Sequence, residues 1–384
     1  MALLRCVRAT GGLGNRARPS TPSCERGPAP SVRKHTHAWP RNARTGDCIC
    51  CVGKHTESPA HRFLYSGQTQ PDAAQQQRES RVIPQHLQGA PRACRVAVVI
   101  ATKGRPQAVP RMLRLLEQQT LQPSIVVISA NTRLDVGEFA APQHLPVEYL
   151  FGPAGLPAQR NRGLERVLPE SDIVVFLDDD FVPAREWLAR CAEAFAARPH
   201  AVGVTGGVVQ DGVRGDAIDW DEAAELLSDD AAHPQPMGLV PVQKLYGCNM
   251  AYRCSAIGDL RFDERLVLYG WLEDMDFSRA MHAKGPLLQV LACRGVHLGL
   301  RSGGRTSGKR FGFSQIVNAW YLYGKGALSA REAWSYTARA FLANGAKALF
   351  PEPHIDRRGR LAGNLLGLRE LLSGRCQPER GAEL

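Results

Sequence analysis

Three consecutive aspartates follow an apolar run that is typical of a buried strand. Residues 171–183 read SDIVVFLDDDFVP, in which the apolar residues 173–177 lead directly into Asp178, Asp179 and Asp180. Three carboxylates at a strand end repel one another unless a cation lies among them. Mg2+ and Mn2+ prefer oxygen ligands and bind one or two protein carboxylates together with phosphate oxygens. The pattern therefore predicts a divalent metal site; the alternative is a solvated turn in which Asp180 caps the following helix.

A second acidic pair lies in the segment GWLEDMDFSRAM, residues 270–281. On a helix, the neighbouring side chains of Glu273 and Asp274 point in different directions. We therefore expect one of them to serve as a general base while the other is held structurally. An acid-rich first turn that complements the helix dipole is the alternative. In the same helix, the spacing of Asp276 and Arg279 predicts an (i, i+3) ion pair.

Three further segments place polar side chains where strands are predicted to end. His297 follows an apolar run, where a histidine is more often a buried core residue than a metal ligand. The segments TKGRP, residues 102–106, and AQRNRG, residues 158–163, each place arginine beside small or amide side chains. Arginine in such a loop suits a phosphate or a nucleotide base, and it also suits ordinary turn chemistry.

The elements that position these residues alternate along the chain. From Arg95 onward, strand-like and helix-like segments follow one another, which is typical of a mostly parallel sheet covered by helices. Such sheets bind ligands outside the carboxyl ends of their strands, where the three aspartates are expected. Residues 210–243 are predicted to form an inserted helix and loop without a strand. The predicted strands are 95–102, 124–130, 147–152, 172–177, 201–209, 244–253 and 287–299, and the predicted helices are 108–119, 156–168, 184–198 and 270–285.

Charge divides the chain into an N-terminal segment and a nearly neutral remainder. The formal net charge is +11, and residues 1–90 hold 13 Lys and Arg against 5 Asp and Glu, which is +8 of it. A nucleic-acid interpretation would therefore rest on this segment alone. The segment is rich in Pro, Gly, Ser, Arg and Gln, so we expect it to be disordered. A true translation start near Val82 is a further hypothesis, which mass spectrometry of the natural N-terminus would test.

The remainder is expected to hold a folded domain over residues 91–325 and a helical tail over residues 326–384. In the tail, Trp334, Phe341 and Leu342 lie near one helical face. We expect this face to pack on the folded domain, and contact with a bilayer surface is the alternative. Eleven cysteines without a repeated C-x-x-C unit do not form a disulfide framework.

Taken together, these segments resemble glycosyltransferase family 2, the inverting enzymes of the GT-A fold. The resemblance covers residues 95 to about 325, with its parts in the family's order. VVIATKGRP is similar to the opening strand and nucleotide-binding loop, LPAQRNRGL to the A-R-N-x-G segment, and VVFLDDDFVP to the DxD stretch. GCNMAYR, ERLVLYGWLEDMDFSRAM and RGVHLG match the acceptor-side strand, the E-D helix and the late histidine. The implied fold is α/β of the GT-A type, a Rossmann-like, mixed, mostly parallel sheet flanked by helices, with a helical C-terminal extension.

The resemblance also implies roles for individual residues. The implied ligands of a divalent metal, Mg2+ or Mn2+, are Asp180, Asp178 and His297. Asp274 is the implied general base, with Glu273 beside it as the second catalytic residue. The residues implied to bind the nucleotide sugar are Thr102, Arg105, Ser129, Asn131, Arg160, Asn161, Asp178 and Asp179.

Two departures from the family pattern affect the expected substrate and product. The second strand of the family usually ends in an acid that reads the nucleotide base, whereas this chain has Ser129 and Asn131 at that point. The identity of the base therefore stays open. The Q-x-x-R-W signature of processive polymer synthases does not occur after His297, and no apolar run approaches the length of a spanning helix. We therefore expect one sugar to be added per encounter.

The implied activity is that of a hexosyltransferase-like enzyme. It would move one sugar from a nucleoside-diphosphate sugar to a hydroxyl of a saccharide or lipid-linked acceptor, with no nucleic-acid partner. Forty Arg against eight Lys suggest a GC-rich genome and hence a bacterium that makes surface polysaccharide or glycolipid. The expected location is the cytoplasm, with peripheral contact at the inner face of the cell membrane.

Two other classes of protein are alternatives to this one. A sugar-1-phosphate nucleotidylyltransferase would share the layered sheet and the metal, but its opening loop of G-x-G-T-R type does not occur here. A non-catalytic nucleotide-binding or nucleic-acid-binding protein would depend on the basic residues 1–90, and such charge is common in disordered tails.

Overall fold

The computed structural model describes residues 94–137, 144–213, 215–233, 238–300, 307–350, 352 and 355–384. The predicted disorder of residues 1–90 and most of the polar loop 301–310 lie outside these residues. Within the described part, one nine-stranded sheet carries helices and is followed by a helical C-terminal region.

The sheet is mixed, and most of its strands run in one direction. Its order is β3-β2-β1-β4-β8-β6-β9-β5, and β7 also pairs with β9. The first four strands, β6 and β9 share one direction, whereas β5, β7 and β8 run the opposite way. The predicted mostly parallel sheet is thereby confirmed. The strands are β1 (Val96–Thr102), β2 (Ile125–Ala130), β3 (Val147–Phe151), β4 (Ile173–Asp178), β5 (Phe181–Pro183), β6 (Gly203–Asp211), β7 (Leu239–Val242), β8 (Asn249–Arg253) and β9 (Leu287–His297).

Helices connect the strands and form the C-terminal region. The four predicted helices that flank the sheet are present, with ends that differ from the prediction by up to three residues. The helices are α1 (Ala108–Glu117), α2 (Leu156–Val167), α3 (Trp187–Ala197), α4 (Trp220–Ala231), α5 (Cys254–Ile257), α6 (Glu273–His282), α7 (Gly308–Lys325), α8 (Ala330–Leu349) and α9 (Arg357–Leu372).

The central strands are apolar throughout because the sheet is covered on both faces. In β1, Val98 and Ile100 belong to one buried cluster, whereas Ala97 and Val99 belong to a second cluster on the other face. Strand β4 divides in the same way, with Val175 on the first face and Phe176 on the second. A strand buried on both sides is a rigid support, so its carboxyl end holds polar side chains at fixed positions.

Two strands were missed by the sequence analysis. The prediction that residues 210–243 lack a strand is wrong, because β7 pairs antiparallel with β9 from Leu239↔Val290 to Val242↔Leu287. Its sequence LVPV contains proline, which lowers strand propensity and is tolerated at an edge. Strand β5 is only three residues long. It begins directly after the three aspartates and pairs with the end of β9 through Phe181↔His297.

The C-terminal region consists of α7, α8 and α9, in agreement with the helical C-terminal extension that the resemblance implies. Helix α8 begins with a capping box in which Ser329 and Glu332 bond to each other's backbone N–H groups. The predicted packing of the Trp334, Phe341 and Leu342 face is wrong for Trp334 and Leu342, which are 51% and 73% exposed. Helix α8 instead buries Ala333 and Ala340 in a cluster with Trp320 of α7, and Phe341 is partly buried beside them. The opposite face of α8 exposes apolar side chains.

Candidate active site

One cleft lies at the carboxyl ends of β1 and β4 and the end of β9. Parallel strands deliver their last residues to the same edge of a sheet, which is where α/β proteins bind ligands. Thr102 ends β1, Asp178 ends β4 and His297 ends β9, so three of the predicted residues meet here. The cleft is lined by Ala101, Thr102, Lys103, Arg105, Ala154, Gly155, Leu156, Gln159, Asp178, Asp179, Asp180, Leu268, Tyr269 and His297.

The three aspartates have different surroundings. Asp179 is buried and is held within the protein, since its carboxylate accepts a 2.6 Å hydrogen bond from Thr102 Oγ1 and a 2.5 Å hydrogen bond from Arg105 Nη1. Burial raises the pKa of Asp179 to about 6, against the opposing effect of Arg105. Arg105 Nη1 also lies 3.1 Å from Asp180. Asp179 is therefore an anchor for Thr102 and Arg105.

Asp178, Asp180 and His297 form a separate group that could hold a metal ion. Ligand atoms of the three residues lie within 4.8 Å of one another. His297 Nε2 is 3.4 Å from Asp180 and 4.0 Å from Asp178. Two carboxylates and one imidazole are a donor set that suits a small divalent cation, with other coordination positions left for water or phosphate oxygen. The residues present therefore fit a Mg2+ or Mn2+ ion.

The backbone pairing of β5 with β9 brings two members of this group together. Asp180 immediately precedes β5, and the pairing Phe181↔His297 places His297 beside it. The N–H of Leu298 donates to the Asp180 carbonyl at 2.9 Å, and the N–H of Leu300 donates to Asp180 Oδ2 at 2.9 Å. These bonds fix Asp180 independently of any ligand.

The other ring nitrogen of His297 contacts residues that the sequence analysis missed. Asp211 Oδ1 lies 3.1 Å from His297 Nδ1, and the Tyr246 hydroxyl donates to Asp211 Oδ2 at 2.9 Å. A partner on Nδ1 orients the ring and leaves Nε2 for a metal. Asp211 reaches this position because it is paired with His297 in the β6–β9 register. That register is not readable from local sequence.

The acidic surroundings also alter the protonation of His297. Burial disfavours the imidazolium, but the neighbouring Cys248 thiol and the hydrogen bonds to Asp180 and Asp211 outweigh it and raise the pKa of His297 well above its usual range. The same carboxylates that favour a positive ring would favour a metal cation beside a neutral ring. This pocket at the sheet edge is therefore built to accept positive charge.

Arg160 connects this edge to helix α6. Its guanidinium is buried, donates to Asp178 and to the carbonyl of Gly247 at 2.8 Å each, and forms an ion pair with Glu273. The Arg160 guanidinium also lies over the rings of Phe176 and Phe262. Burial raises the pKa of Glu273 to about 8, although Arg160 opposes the shift. Both partners are therefore inside the protein, behind the cleft.

Asp274 and Glu273 have different hydrogen-bond partners, as expected for neighbouring acids that point in different directions on a helix. Its Oδ2 accepts from the N–H of Gly247 at 3.2 Å, and its Oδ1 accepts from the N–H of Met275 at 2.8 Å. Its side chain is partly exposed, whereas Glu273 is buried. Of the two carboxylates, only that of Asp274 is therefore accessible to a proton donor from outside.

The predicted ion pair between Asp276 and Arg279 is wrong. Asp276 bonds to Lys325 of α7 at 2.6 Å, and Arg279 forms an ion pair with Glu332 of α8. Tertiary partners outcompete the helical neighbour because α6 packs under the C-terminal helices. These bonds attach α6, which carries Asp274, to the C-terminal region.

Several predicted nucleotide-binding residues are held by protein partners. The amide of Asn161 donates to the carbonyl of Phe262 at 2.9 Å and to Glu264 at 2.8 Å. The buried hydroxyl of Ser129 accepts from Arg162 at 2.9 Å. Asn131 follows the end of β2 and is partly exposed. These three residues do not line the cleft, and their roles stay predictions.

Two other residues arrange the edge and were not predicted. Gln159 donates to the carbonyls of Thr102 and Ser129 at 2.7 and 2.8 Å, and thus ties the ends of β1 and β2 to α2. Asp135 accepts from the N–H of Gly104 at 2.7 Å and holds the loop that carries Arg105. The family pattern places an acid at the end of the second strand. Asp135 lies in the segment after β2, so the sequence analysis did not single it out.

Comparison with protein families identifies the central part of the chain. Residues 97–261 match the model described as Glycosyl transferase family 2. No curated protein matches the chain. Within the described residues, none of the helices is both long and apolar enough to cross a membrane.

Three solved structures illustrate the structural similarity. S. aureus TarS is 16% identical with a TM-score of 0.38 over 66% of this chain, which spans only 44% of TarS. The mannosyltransferase PcManGT from Pyrobaculum calidifontis, solved with GDP-Man and Mn2+, is 16% identical with a TM-score of 0.42 over 71% of this chain and 87% of its own. A197 from STIV is 14% identical with a TM-score of 0.33 over 53% of this chain and 85% of its own.

Proposed function

Because residues 97–261 match the model of glycosyl transferase family 2, we propose that this protein is an inverting, GT-A-type glycosyltransferase. It moves one sugar from a nucleoside-diphosphate sugar to a hydroxyl of a saccharide or lipid-linked acceptor. The setting that fits this activity is the synthesis of bacterial surface polysaccharide or glycolipid. The observation that carries the proposal is the group of Asp178, Asp180 and His297 in one cleft at the sheet edge.

The donor diphosphate is assigned to this cleft. Asp178, Asp180 and His297 would hold a Mg2+ or Mn2+ ion, which supplies positive charge to the leaving diphosphate when it is bound. Asp179 bonds to Thr102 and Arg105 and fixes both side chains at the carboxyl end of β1. Arg105 and Lys103 line the same cleft and add positive charge where the phosphates would lie.

Asp274 is assigned as the general base. Backbone N–H groups of Gly247 and Met275 each bond one of its oxygens, so the carboxylate is oriented before a substrate arrives. It accepts the proton of the acceptor hydroxyl as that oxygen attacks the anomeric carbon. Attack from the side opposite the diphosphate breaks the old bond as the new one forms, and the anomeric configuration inverts.

The donor site is tested by thermal unfolding of the full chain with UDP, GDP, dTDP or CMP, each with and without Mn2+. A ligand that binds only the native state adds about 2.7 kcal/mol at 100 times its dissociation constant. We expect a Mn2+-dependent rise in Tm with one nucleoside diphosphate. The rise should be absent in Asp180→Ala and present in the matched control Asp259→Ala, since Asp259 is exposed and lies outside the cleft. A rise that persists in Asp180→Ala contradicts the assignment.

Peripheral membrane contact is the second part of the proposal, and it concerns the outer face of α8. Trp334, Leu342, Leu349 and Phe350 are 51%, 73%, 76% and 85% exposed. Apolar side chains interspersed with basic ones, such as the exposed Arg339, are typical of helices that lie in a membrane interface. We therefore place the enzyme in the cytoplasm with this face toward the inner leaflet.

Sedimentation with vesicles tests this contact. The full chain is expected to sediment with vesicles that contain an anionic phospholipid. The double variant Leu342→Glu, Phe350→Glu should stay in the supernatant while keeping its nucleotide-dependent rise in Tm. Equal sedimentation of the wild type and the double variant contradicts membrane contact through α8 and leaves the donor site untouched.

A further inference from the structure

The segment that leads into α6 has a strained backbone. Within the described residues, the non-glycine residues with positive φ are Leu268 and Leu272, at 61° and 73°. Gly270 lies between them with φ 65°. Leucine in the left-handed region is unfavourable and persists only when surrounding bonds impose it. Such strain is concentrated at functional sites, so it raises the question of what residues 268–272 position.

The surrounding bonds do impose this conformation. The Leu268 carbonyl accepts from the N–H of Leu156 at 2.9 Å, and the Gly270 carbonyl accepts from the N–H of Glu273 at 2.7 Å. The carbonyl of Trp271 accepts from the amide of Asn318 at 2.9 Å. At Gly270, a Cβ would lie 2.9 Å from the Glu273 side chain and 3.0 Å from Pro157. The segment is therefore held by α2, α6 and α7 together.

The held segment presents two aromatic side chains, which contact a third. Tyr269 and Trp271 each lie against Phe311 of α7, with ring centroids 5.9 and 5.4 Å apart. The guanidinium of Arg360 stacks on Phe311 at 4.5 Å and fixes that ring. All three aromatic rings are partly exposed. They form a small aromatic surface immediately before the helix that carries Asp274.

This aromatic surface adjoins the donor cleft. Leu268 and Tyr269 line the cleft that contains Asp178, Asp180 and His297. A smaller cleft continues from Tyr269 along Trp271 to Phe311. A molecule lying on the aromatic surface would therefore reach the donor cleft at Tyr269, which lines both clefts.

We propose that Tyr269, Trp271 and Phe311 form the platform that binds the sugar ring of the acceptor, at the start of the helix that carries the general base Asp274. The C–H groups on one face of a pyranose are weakly positive and apolar, which suits the negative face of an aromatic ring. This inference rests on the proposed function and narrows its acceptor to a molecule that offers a saccharide ring. A lipid-linked acceptor would lie here through its sugar and not through its lipid chain.

Saturation-transfer NMR on the full chain tests the platform without an activity assay. The probes are methyl β-glucoside, methyl β-galactoside and methyl α-mannoside, with 1-octanol as a ring-free apolar probe. At least one glycoside is expected to receive saturation on the protons of one ring face, and octanol is not. Saturation of octanol alone would overturn the proposal, as would saturation of no glycoside.

Matched variants identify the surface that carries the signal. Trp271→Ala and Tyr269→Ala should each reduce the glycoside signal about fivefold or more, and Tyr269→Phe should retain it, since the ring and not the hydroxyl is required. Trp334→Ala removes an exposed tryptophan on α8 and should change nothing. A signal unchanged in both alanine variants overturns the platform. If Trp271→Ala does not fold, Tyr269→Ala decides alone.

The nucleotide-dependent rise in Tm separates this proposal from the proposed function. Trp271→Ala should keep that rise, because Trp271 does not line the donor cleft. If the wild type shows the rise but binds no glycoside, the donor site stands and the platform is overturned. If glycosides bind and no nucleotide raises Tm, the platform stands as a saccharide site while the proposed transferase activity is overturned.

Discussion

Charged residues are partly exposed at the amino end of the sheet and buried at its carboxyl end. At the amino end, Arg166 and Glu148 form a 2.6 Å ion pair with side chains 32% and 41% exposed. At the carboxyl end, Arg160 is 2% exposed and bonds to Asp178 and to the buried Glu273. The hydrogen bond from Arg166 lowers the pKa of Glu148, whereas burial raises the pKa of Glu273.

The difference indicates which end was shaped by function. Exposed ion pairs form at little cost and contribute little to stability. Buried charges are expensive to desolvate, and well-packed apolar residues would often serve stability equally well. Clusters of buried ionisable groups with shifted pKa values are therefore candidates for functional sites. By that criterion, the candidate functional site lies at the carboxyl end of the sheet.

The largest effect is expected from Asp180→Ala. The change removes a carboxylate that accepts from the N–H of Leu300 and lies 3.4 Å from His297 Nε2. We expect sugar transfer to be abolished and the circular dichroism spectrum to be unchanged. Transfer is measured as nucleoside diphosphate released in the presence of acceptor. If the variant keeps most of its turnover, the carboxyl end of the sheet is not the site of sugar transfer, and the contrast between the two ends does not reflect function.

The next effect is expected from Asp274→Asn. An amide cannot accept the acceptor proton, so kcat should fall about 10²–10⁴-fold, as is typical when a general base is lost. The Mn2+-dependent rise in Tm should be retained because Asp274 does not belong to the metal-ligand group. Glu273→Gln is the matched neighbour and should lose less activity, since Glu273 faces Arg160. Equal loss in both variants would contradict the different roles of the two acids.

Arg160→Met tests the stability contrast directly. It leaves Asp178 and Glu273 without their shared cation, and removing one partner of a buried pair costs about 3–5 kcal/mol in the free energy of unfolding. Arg166→Met, at the other end of the sheet, should cost less than about 1 kcal/mol. Both values are measured by urea unfolding at pH 9, above the pKa of about 8 of Glu273, where that carboxylate is ionised. Similar losses in the two variants would show that the two ends do not differ as described.

A smaller effect is expected from Asp211→Asn. The amide should hold the ring of His297 less firmly, and loss of such a partner typically lowers metal affinity about 10–100-fold. Mn2+ affinity is read from the metal dependence of the rise in Tm. Tyr246→Phe removes only the hydroxyl that bonds to Asp211 and should show a weaker effect in the same direction. If Mn2+ affinity is unchanged in both variants, Asp211 and Tyr246 do not orient His297 as a metal ligand.

The smallest effects concern pH. The pKa of Glu273 is about 8 when folded, above the ordinary 4.5, so its contribution to stability is complete below pH 4.5 and is lost as pH rises through 8. The pKa of Glu148 is below 4.5 when folded, so its contribution is present above pH 4.5 and is lost on further acidification. The free energy of unfolding of the wild type, measured relative to that of Glu273→Gln, should fall as the pH rises from 5 to 8. Measured relative to Glu148→Gln, the free energy of unfolding of the wild type should fall only as the pH drops below 4.5. Urea unfolding across pH measures both, and a common pH window would contradict the opposite shifts.

The sequence was most informative where local pattern and burial agree. The apolar runs of β1, β2 and β4 predicted strands because each is buried on both faces, and the position of Asp178 at a strand end followed from the run before it. The different directions of Glu273 and Asp274 followed from helical geometry alone. In these cases the deciding contacts lie within one element.

The features that were missed depend on pairings between distant parts of the chain. Asp211 reaches His297 through the register of β6 and β9, which no local pattern encodes. The separation of Asp179 from its two neighbours depends on where Thr102 and Arg105 lie after folding. Asp276 satisfied the spacing rule for Arg279 but bonds to Lys325, because a tertiary contact outweighed a local one.

The pairing of the short β5 with the end of β9 has a consequence for the order in which the protein acquires its site during synthesis. Asp178 and Asp180 leave the ribosome early, whereas His297 and the strand that fixes Asp180 follow only after β6, β7 and β8. Contacts between distant segments form late because a long loop must close first. A nascent chain that ends before β9 would carry two of the three proposed ligands but would lack the N–H groups of Leu298 and Leu300 that bond to Asp180. Metal uptake would thus mark the moment at which the sheet is complete.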